Sequence, residues 1–419
     1  MDHFEINDGA MFVEGVAMDA IADAVGTPVY VYSTATLKRH VAVLREALGG
    51  LGDPLIAFAV KANPNGAVLA TLAREGLGAD VVSGGEILRA QAAGIAPDKM
   101  VFSGVGKTAD EMRLALSIGV GQFNLESEQE AEMLSAVATA MGMIAPVAYR
   151  INPDVDAGTH AKISTGKSDN KFGIAYASAE DAYARAARLP GLHVQGVAVH
   201  IGSQLTDLAP LEAAFRRVGA LIEGLRACGH DIVTADLGGG LGVPYDPSLP
   251  PPPTPADYGA MVARVTQGWN VRLIFEPGRM IVGNAGALLS TVIRVKDGAT
   301  HPFIIVDAAM NDLLRPSLYD AWHDIRATRP SGARAVANVV GPVCESGDTF
   351  ATARDMDAVG AGDRVAFMTA GAYAATMAST YNSRALTPEV LVDGDRWAVV
   401  RERQPIEALI AQDRLPDWL

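Results

Sequence analysis

At 419 residues, 49% of them hydrophobic and 20% charged, the chain has the length and core material for two domains, or for one large barrel plus a smaller module. A net charge of −14 argues against nucleic acid or an anionic membrane as its main partner. The two cysteines, Cys228 and Cys344, cannot form a disulfide framework, and neither a basic-then-apolar leader nor a run of about 18 apolar residues is present, so a cytoplasmic protein is expected.

Near the N-terminus, "AMFVEGVAM" and "PVYVYS" are strand-like. Short apolar runs then follow at Leu55–Val60, Ala79–Val82, Met100–Phe102, Gln122–Leu125, Val147–Ile151, Val194–Val199, Ile232–Leu237 and Val271–Phe275. Between them lie stretches such as "GAVLATLAREG", "SEQEAEMLSAVATAMG" and "LEAAFRRVGALIEGLRACG", with apolar residues at three- and four-residue spacing, which predicts helices. Eight strands alternating with helices predict an α/β fold, a parallel (β/α)8 barrel of the TIM type over residues 34–282. An open doubly wound sheet is the alternative, because periodicity does not show closure. "LPPPPTP" (Leu249–Pro255) interrupts the pattern and reads as an extended, partly mobile loop without a role in chemistry. After residue 283 the texture changes. "LLSTVIRVKD", "PFIIVDA", "ARAVANVVG", "RVAFMTAG" and "RWAVVRER" are strand-like runs separated by turn residues, with little helical periodicity. Residues 283–419, completed by residues 1–33, are therefore expected to form an all-β domain of sandwich or barrel type.

The stretch "FAVKANPN" places Lys61 at the end of the first barrel strand. Such a lysine either snorkels to water or, desolvated, acts as an amine nucleophile of the Schiff-base kind. In a barrel the active site forms at the C-terminal ends of the strands. There the sequence gathers Lys61, Ser83 to Glu86, Arg150, His200 and Ser203 of "VHIGSQ", Gly238 to Gly240, and Glu276 to Arg279 of "EPGR". Each has a plain alternative: a core histidine, a structural ion-pair carboxylate, a glycine turn. Cys228 lies in a helical apolar pattern and reads as core, whereas Cys344 of "GPVCESGD" reads as a loop residue. A Schiff-base lysine, a glycine cradle for phosphate, a ring-stacking histidine and a carboxylate are together the parts that hold pyridoxal 5'-phosphate. Its pyridine nitrogen must stay protonated, and Glu276 is the carboxylate placed to keep it so.

The motifs "AVKAN", "HIGSQ", "DLGGGLG", "EPGR", "RPSLYDAWH", "GPVCESGD" and "GAYAATMASTYN" occur in this order over essentially the whole chain. In them the chain resembles the fold-type III pyridoxal-phosphate-dependent decarboxylases, and within these the branch acting on diaminopimelate. "ISTGKSDNKFGI" (Ile163–Ile174) is similar to a further segment of that family. The resemblance implies decarboxylation of meso-2,6-diaminopimelate to L-lysine and carbon dioxide, the last step of lysine biosynthesis. It implies that Lys61 links covalently to the cofactor and that His200 stacks on its ring. Glu276 pairs with the pyridine nitrogen. Ser203, Gly239, Gly240, Gly278, Arg279 and Tyr373 serve the cofactor, chiefly at its phosphate. Arg279, Arg315, Tyr319 and Tyr373 would bind the substrate, the first three at its far carboxylate, and Glu345 would take the far ammonium. Cys344 would be the acid that protonates the carbon once carbon dioxide has left. Cys344 and Glu345 are expected from the partner subunit of a homodimer, the β domain contributing to active site and dimer interface. No metal is expected. The rival readings are an ornithine, arginine or carboxynorspermidine decarboxylase of the same fold, or a non-catalytic regulatory relative.

Overall fold

Leu55–Ala59, buried at every position, is the first of eight parallel strands. The others are Gly78–Val81, Met100–Phe102, Gln122–Leu125, Ala145–Asn152, Leu192–Ala198, Thr234–Asp236 and Arg272–Phe275. Each pairs with the next, and Ile274 pairs back to Leu55, so the sheet closes. Closure settles the choice between barrel and open sheet. The computed structural model describes residues 2–156 and 171–419. These divide into two units: a barrel unit, Arg39–Pro244 with Pro250–Ile281, and a β unit, Met1–Lys38 with Tyr245–Leu249 and Val282–Leu419.

Helices form between the strands where the spacing predicts them, at Gly66–Arg74, Glu128–Met141 and Ala209–Ala227 among others. Their ends are specified locally. Ser127 accepts a hydrogen bond from the Glu130 amide at the start of Glu128–Met141, and Gly142 ends it in the left-handed region. One boundary shifts here by a residue, and the rest of the loop stands. The proline-rich stretch does not run as a loop to Pro255: Thr254 caps the helix Pro255–Val265 through a reciprocal capping box with Asp257, and Pro255 occupies a first-turn position. Proline is at home there because its missing N–H would have no helical partner. Tyr245–Leu249, just before it, belongs to the β unit.

In the β unit the longest strand is Gly286–Lys296. One main sheet runs in the order Thr349–Asp357, Arg334–Val340, Phe303–Val306, Gly286–Lys296, Val29–Ser33, Glu389–Asp393 and Arg396–Arg401. Arg364–Phe367 pairs with Gly286–Lys296 and carries Ile325–Ala327 on its other side. "PVYVYS" joins this sheet as a central strand, fully buried. "AMFVEGVAM" instead forms part of a separate three-stranded sheet with Phe4–Asn7. It still contributes to the common core, where Met11, Val13 and Met18 cluster with Val29, Leu289 and Val390. Among the described residues, no helix is long and apolar enough to cross a membrane.

Candidate active site

In the barrel unit, the C-terminal ends of the strands surround a pocket of about 400 Å³. That volume lies in the range of small-molecule sites. Lys61 leaves the first strand on a single 3-10 turn, Val60–Ala62, and its ammonium pairs with Asp80 of the second strand. Asp80 is fully buried, and its second oxygen has no hydrogen-bond partner among the described residues. The pocket is further lined by Ser103, Asn124, Arg150, Phe172, His200, Asp236 and Glu276.

Beneath the pocket a polar ladder crosses the barrel interior. Thr234 donates to Gln122 (2.8 Å), whose amide donates to Asn124 Oδ1 (2.9 Å). Asn124 Nδ2 donates to Asp236 Oδ2 (2.7 Å) and Ser103 Oγ (3.1 Å), and Ser103 donates to Glu276 Oε1 (3.3 Å). Burial raises the Glu276 carboxyl well above its usual range; the neighbouring Asp236 and Asp80 add to this, and Lys61 opposes it. Asp236 is raised for the same first reason, although Asn124 and the Gly238 amide stabilise its charge. Both carboxyls are therefore harder to ionise than an exposed carboxyl, because each charge would be buried beside the other. His200 is pushed the other way. Burial, then the charges of Arg150 and Lys61, hold its pKa well below the ordinary value. The Gly239 amide donates to His200 Nδ1 (3.2 Å), which fixes a neutral ring with its proton on Nε2.

The glycines after the seventh strand are dictated by space. A Cβ on Gly239 would lie 2.2 Å from the Glu276 carbonyl oxygen. Gly240 adopts φ +117°, and its Cβ would meet the Gly202 carbonyl at 2.5 Å. No side chain fits at either position. After the eighth strand, Gly278 precedes Arg279, which begins the short helix Arg279–Val282; buried Arg279 donates to Ser203 Oγ (3.2 Å).

The pocket wall is fixed by a buried charge network that the sequence did not announce. All three hydrogens of the Lys107 ammonium are used, on Gly104 O (2.7 Å), Asn124 O (2.7 Å) and Glu130 Oε1 (2.6 Å). Glu130 Oε2 accepts from the Glu126 amide (2.7 Å). The Glu126 carboxylate pairs with Arg150 (3.1 Å), which donates to the His200 carbonyl (3.1 Å) and lies 4.6 Å from the Phe172 ring.

The remaining expected residues belong to the β unit. Arg315 and Tyr319 share the five-residue helix Arg315–Tyr319, with Arg315 buried. Cys344 and Glu345 are exposed in one loop, held from beneath by buried Asp348, which accepts from the amides of Val343 (2.7 Å) and Met310 (2.6 Å). Tyr381 donates to Glu345 (2.8 Å), and Asn382 Nδ2 lies 3.7 Å from Cys344 Sγ. Tyr373 has φ 54°, a left-handed conformation that a tyrosine rarely adopts and that concentrates at functional sites. The Cys228 expectation is corrected. It caps the C-terminal end of Ala209–Ala227 and is exposed, because the apolar stripe of that helix ends at Leu225. Ile163–Asn170 of "ISTGKSDNKFGI" lies outside the described residues. Asp80, Ser103, Asn124, Asp236 and Lys107 were missed. For the first four the one signal is a polar residue in or just after an otherwise apolar strand; Lys107 stands in a loop and gives none.

Residues 34–283 match the family described as pyridoxal-dependent decarboxylase, pyridoxal binding domain. The chain is 57% identical to the diaminopimelate decarboxylase of Zymomonas mobilis over 99% of both chains. Its structure is similar to that of the M. jannaschii diaminopimelate decarboxylase in complex with L-lysine, with a TM-score of 0.96 and 37% identity, covering 100% of this chain and 99% of that one. It is similar also to the Helicobacter pylori diaminopimelate decarboxylase with L-lysine, with a TM-score of 0.91 and 40% identity, covering 94% and 98%.

Proposed function

The chain belongs to the pyridoxal-dependent decarboxylases, in the diaminopimelate decarboxylase family, and from that premise we propose that it converts meso-2,6-diaminopimelate to L-lysine and carbon dioxide. The observation that carries the chemistry is the barrel pocket, where an amine, a neutral imidazole and a proton-holding carboxylate converge.

The residues fit pyridoxal 5'-phosphate. Lys61 offers the amine for its aldehyde carbon, and Asp80 keeps that amine at the pocket. Neutral His200 presents a flat ring without a competing charge. The bare backbone at Gly239 and Gly240, where no Cβ fits, together with Gly278, Arg279 and Ser203, would hold the phosphate. Tyr373 would reach it as well. Glu276 would hold the proton at the pyridine nitrogen. When bound, the cofactor supplies an electron sink for the pair released as carbon dioxide departs.

The chain's own residues set the rest. Diaminopimelate carries a second amino-acid head, and a site for it needs a carboxylate partner and an ammonium partner. Arg279, Arg315 and Tyr319 are the carboxylate partners, since a guanidinium matches carboxylate geometry in the plane. Glu345, oriented by Tyr381, is the ammonium partner. Cys344 delivers the proton to the carbon that lost its carboxylate. Cys344 and Glu345 come to each pocket from the partner subunit of a homodimer, a reading that rests on the chain's resemblance to the family.

The test is a substrate panel with the cofactor-loaded protein. Lysine and carbon dioxide should form from meso-diaminopimelate, with ornithine, arginine and lysine turned over poorly. Efficient turnover of ornithine, or no lysine from meso-diaminopimelate, would overturn the reading.

A further inference from the structure

We propose that His323 and Tyr245 are positioning residues that hold Arg315 for the substrate's far carboxylate. The proposal rests on the reading above that Arg315 binds that group. Asp320 ends the Arg315–Tyr319 helix in the left-handed region and turns the chain back, so that His323 returns to the first residue of the helix. There Arg315 Nη1 lies 2.9 Å from His323 Nε2, and His323 Nδ1 lies 2.9 Å from the Met368 carbonyl. A guanidinium can only donate and a carbonyl can only accept. The ring therefore accepts at Nε2 and donates at Nδ1, which is the neutral tautomer.

Both ends of this relay are anchored. The Met368 amide donates to the Asp324 carbonyl (2.8 Å), extending the pairing of Ile325–Ala327 with Arg364–Phe367. Arg354 donates to the His323 carbonyl (2.7 Å) while its guanidinium lies over the Trp322 ring at 4.3 Å. Tyr245 completes the seat. Its ring meets His323 edge-on at 5.6 Å and lies 4.5 Å from the Arg315 guanidinium carbon.

The chemistry of these partners suits a residue kept for an anion. A carboxylate in place of His323 would neutralise the guanidinium and compete with the substrate for it. A neutral imidazole takes one N–H and leaves the positive charge whole, and an aromatic face steadies the plane of the guanidinium without neutralising it. His323, 1% exposed, and Arg315, 6% exposed, are thus set as one rigid pair.

Two substitutions separate this role from a merely structural one. His323→Asn keeps a donor near Nδ1 for the Met368 carbonyl and loses the acceptor for Arg315. His323→Gln keeps an acceptor near Nε2 for Arg315. Lysine, the product, retains the far carboxylate, so its Kd by calorimetry reads the seat independently of turnover. His323→Asn should weaken lysine binding and raise KM for meso-diaminopimelate about tenfold or more, the scale of a hydrogen bond to a charged group, with kcat little changed. His323→Gln should stay within about threefold of the wild type. Tyr245→Leu, which removes the aromatic face, should follow His323→Asn, and it decides the question if His323→Asn fails to fold. Adding His323→Asn to Arg315→Leu should cause no further loss. If Arg315→Leu weakens lysine binding while His323→Asn and Tyr245→Leu do not, the positioning role is overturned and the clamp stands. If Arg315→Leu leaves lysine binding unchanged, the clamp reading itself is wrong. Equal loss in the Asn and Gln variants would also refute positioning.

Discussion

Lys107→Met tests the buried network behind the pocket. The side chain of Lys107 is 0% exposed, and that of its partner Glu130 is 8% exposed. Methionine matches the length of the stem and removes the three N–H groups. Glu130 then keeps a buried carboxyl without its cation, and the carbonyls of Gly104 and Asn124 lose a donor. Breaking a buried pair by removing one partner costs about 3–5 kcal/mol. For a unit of this size each kcal/mol lowers Tm by about 2–4 °C, so a fall of about 6–20 °C is expected. The assay is a thermal scan of the cofactor-free protein followed by circular dichroism. A second variant checks the cause. Lys107→Met with Glu130→Gln removes the stranded charge and should recover about half of the loss. A fall of less than about 2 °C, or a double variant no better than the single, would refute the reasoning.

Borohydride reduction of the cofactor-loaded protein should fix the label on the peptide containing Lys61; a label on Lys99 or Lys107 would reject that assignment. Glu276 and Asp236, with pKa values raised by burial, bind in the folded state a proton that the unfolded chain releases above the ordinary carboxylate range. Their contribution to stability is therefore complete at low pH and lost as pH rises, so Tm of the cofactor-free protein should fall as pH rises above the ordinary carboxylate range and through about 6. Glu276→Gln should flatten that slope, and equal slopes in the two proteins would disprove the assignment. Lys61→Ala and Cys344→Ala should each be nearly inactive alone and regain activity when their subunits exchange, because one pocket of the mixed dimer has both groups intact. Heterodimer confirmed by native mass spectrometry but without activity would show that the pockets are not shared.

The barrel was legible because short, mostly apolar runs bounded by turns alternate with helical spacing, and Gln122–Leu125 and Met100–Phe102 fall at the residues expected. Lys61, His200 and Glu276 could be read because each stands just beyond such a run. Asp80, Asn124 and Asp236 could not, because they sit inside strands, where one polar residue looks like an irregularity until closure turns it inward. Lys107 in "GVGKTAD" reads as a loop lysine; only the fold supplies Glu130 and the two carbonyls that surround it. The pairing of His323 with Arg315 and Tyr245 likewise depends on a turn at Asp320 and on residues far apart in the chain. At Pro255 the signal was present. "TPAD" carries both halves of a capping box, and the run of prolines before it hid them.

Val29–Ser33 is buried along its whole length, paired antiparallel to Gly286–Leu289 and parallel to Glu389–Val392. It precedes both neighbours in the chain, Gly286–Leu289 by about 250 residues and Glu389–Val392 by more. At about 5–20 residues per second, it waits on the order of ten to fifty seconds for the first of them. During that interval a "VYVYS" strand with two open edges is available to any other nascent chain. The barrel, whose strands pair almost entirely with their successors, can close before Val29–Ser33 has either of its sheet partners. Yield in the cell is then governed by how well this strand is shielded during translation, a demand that the finished molecule no longer displays.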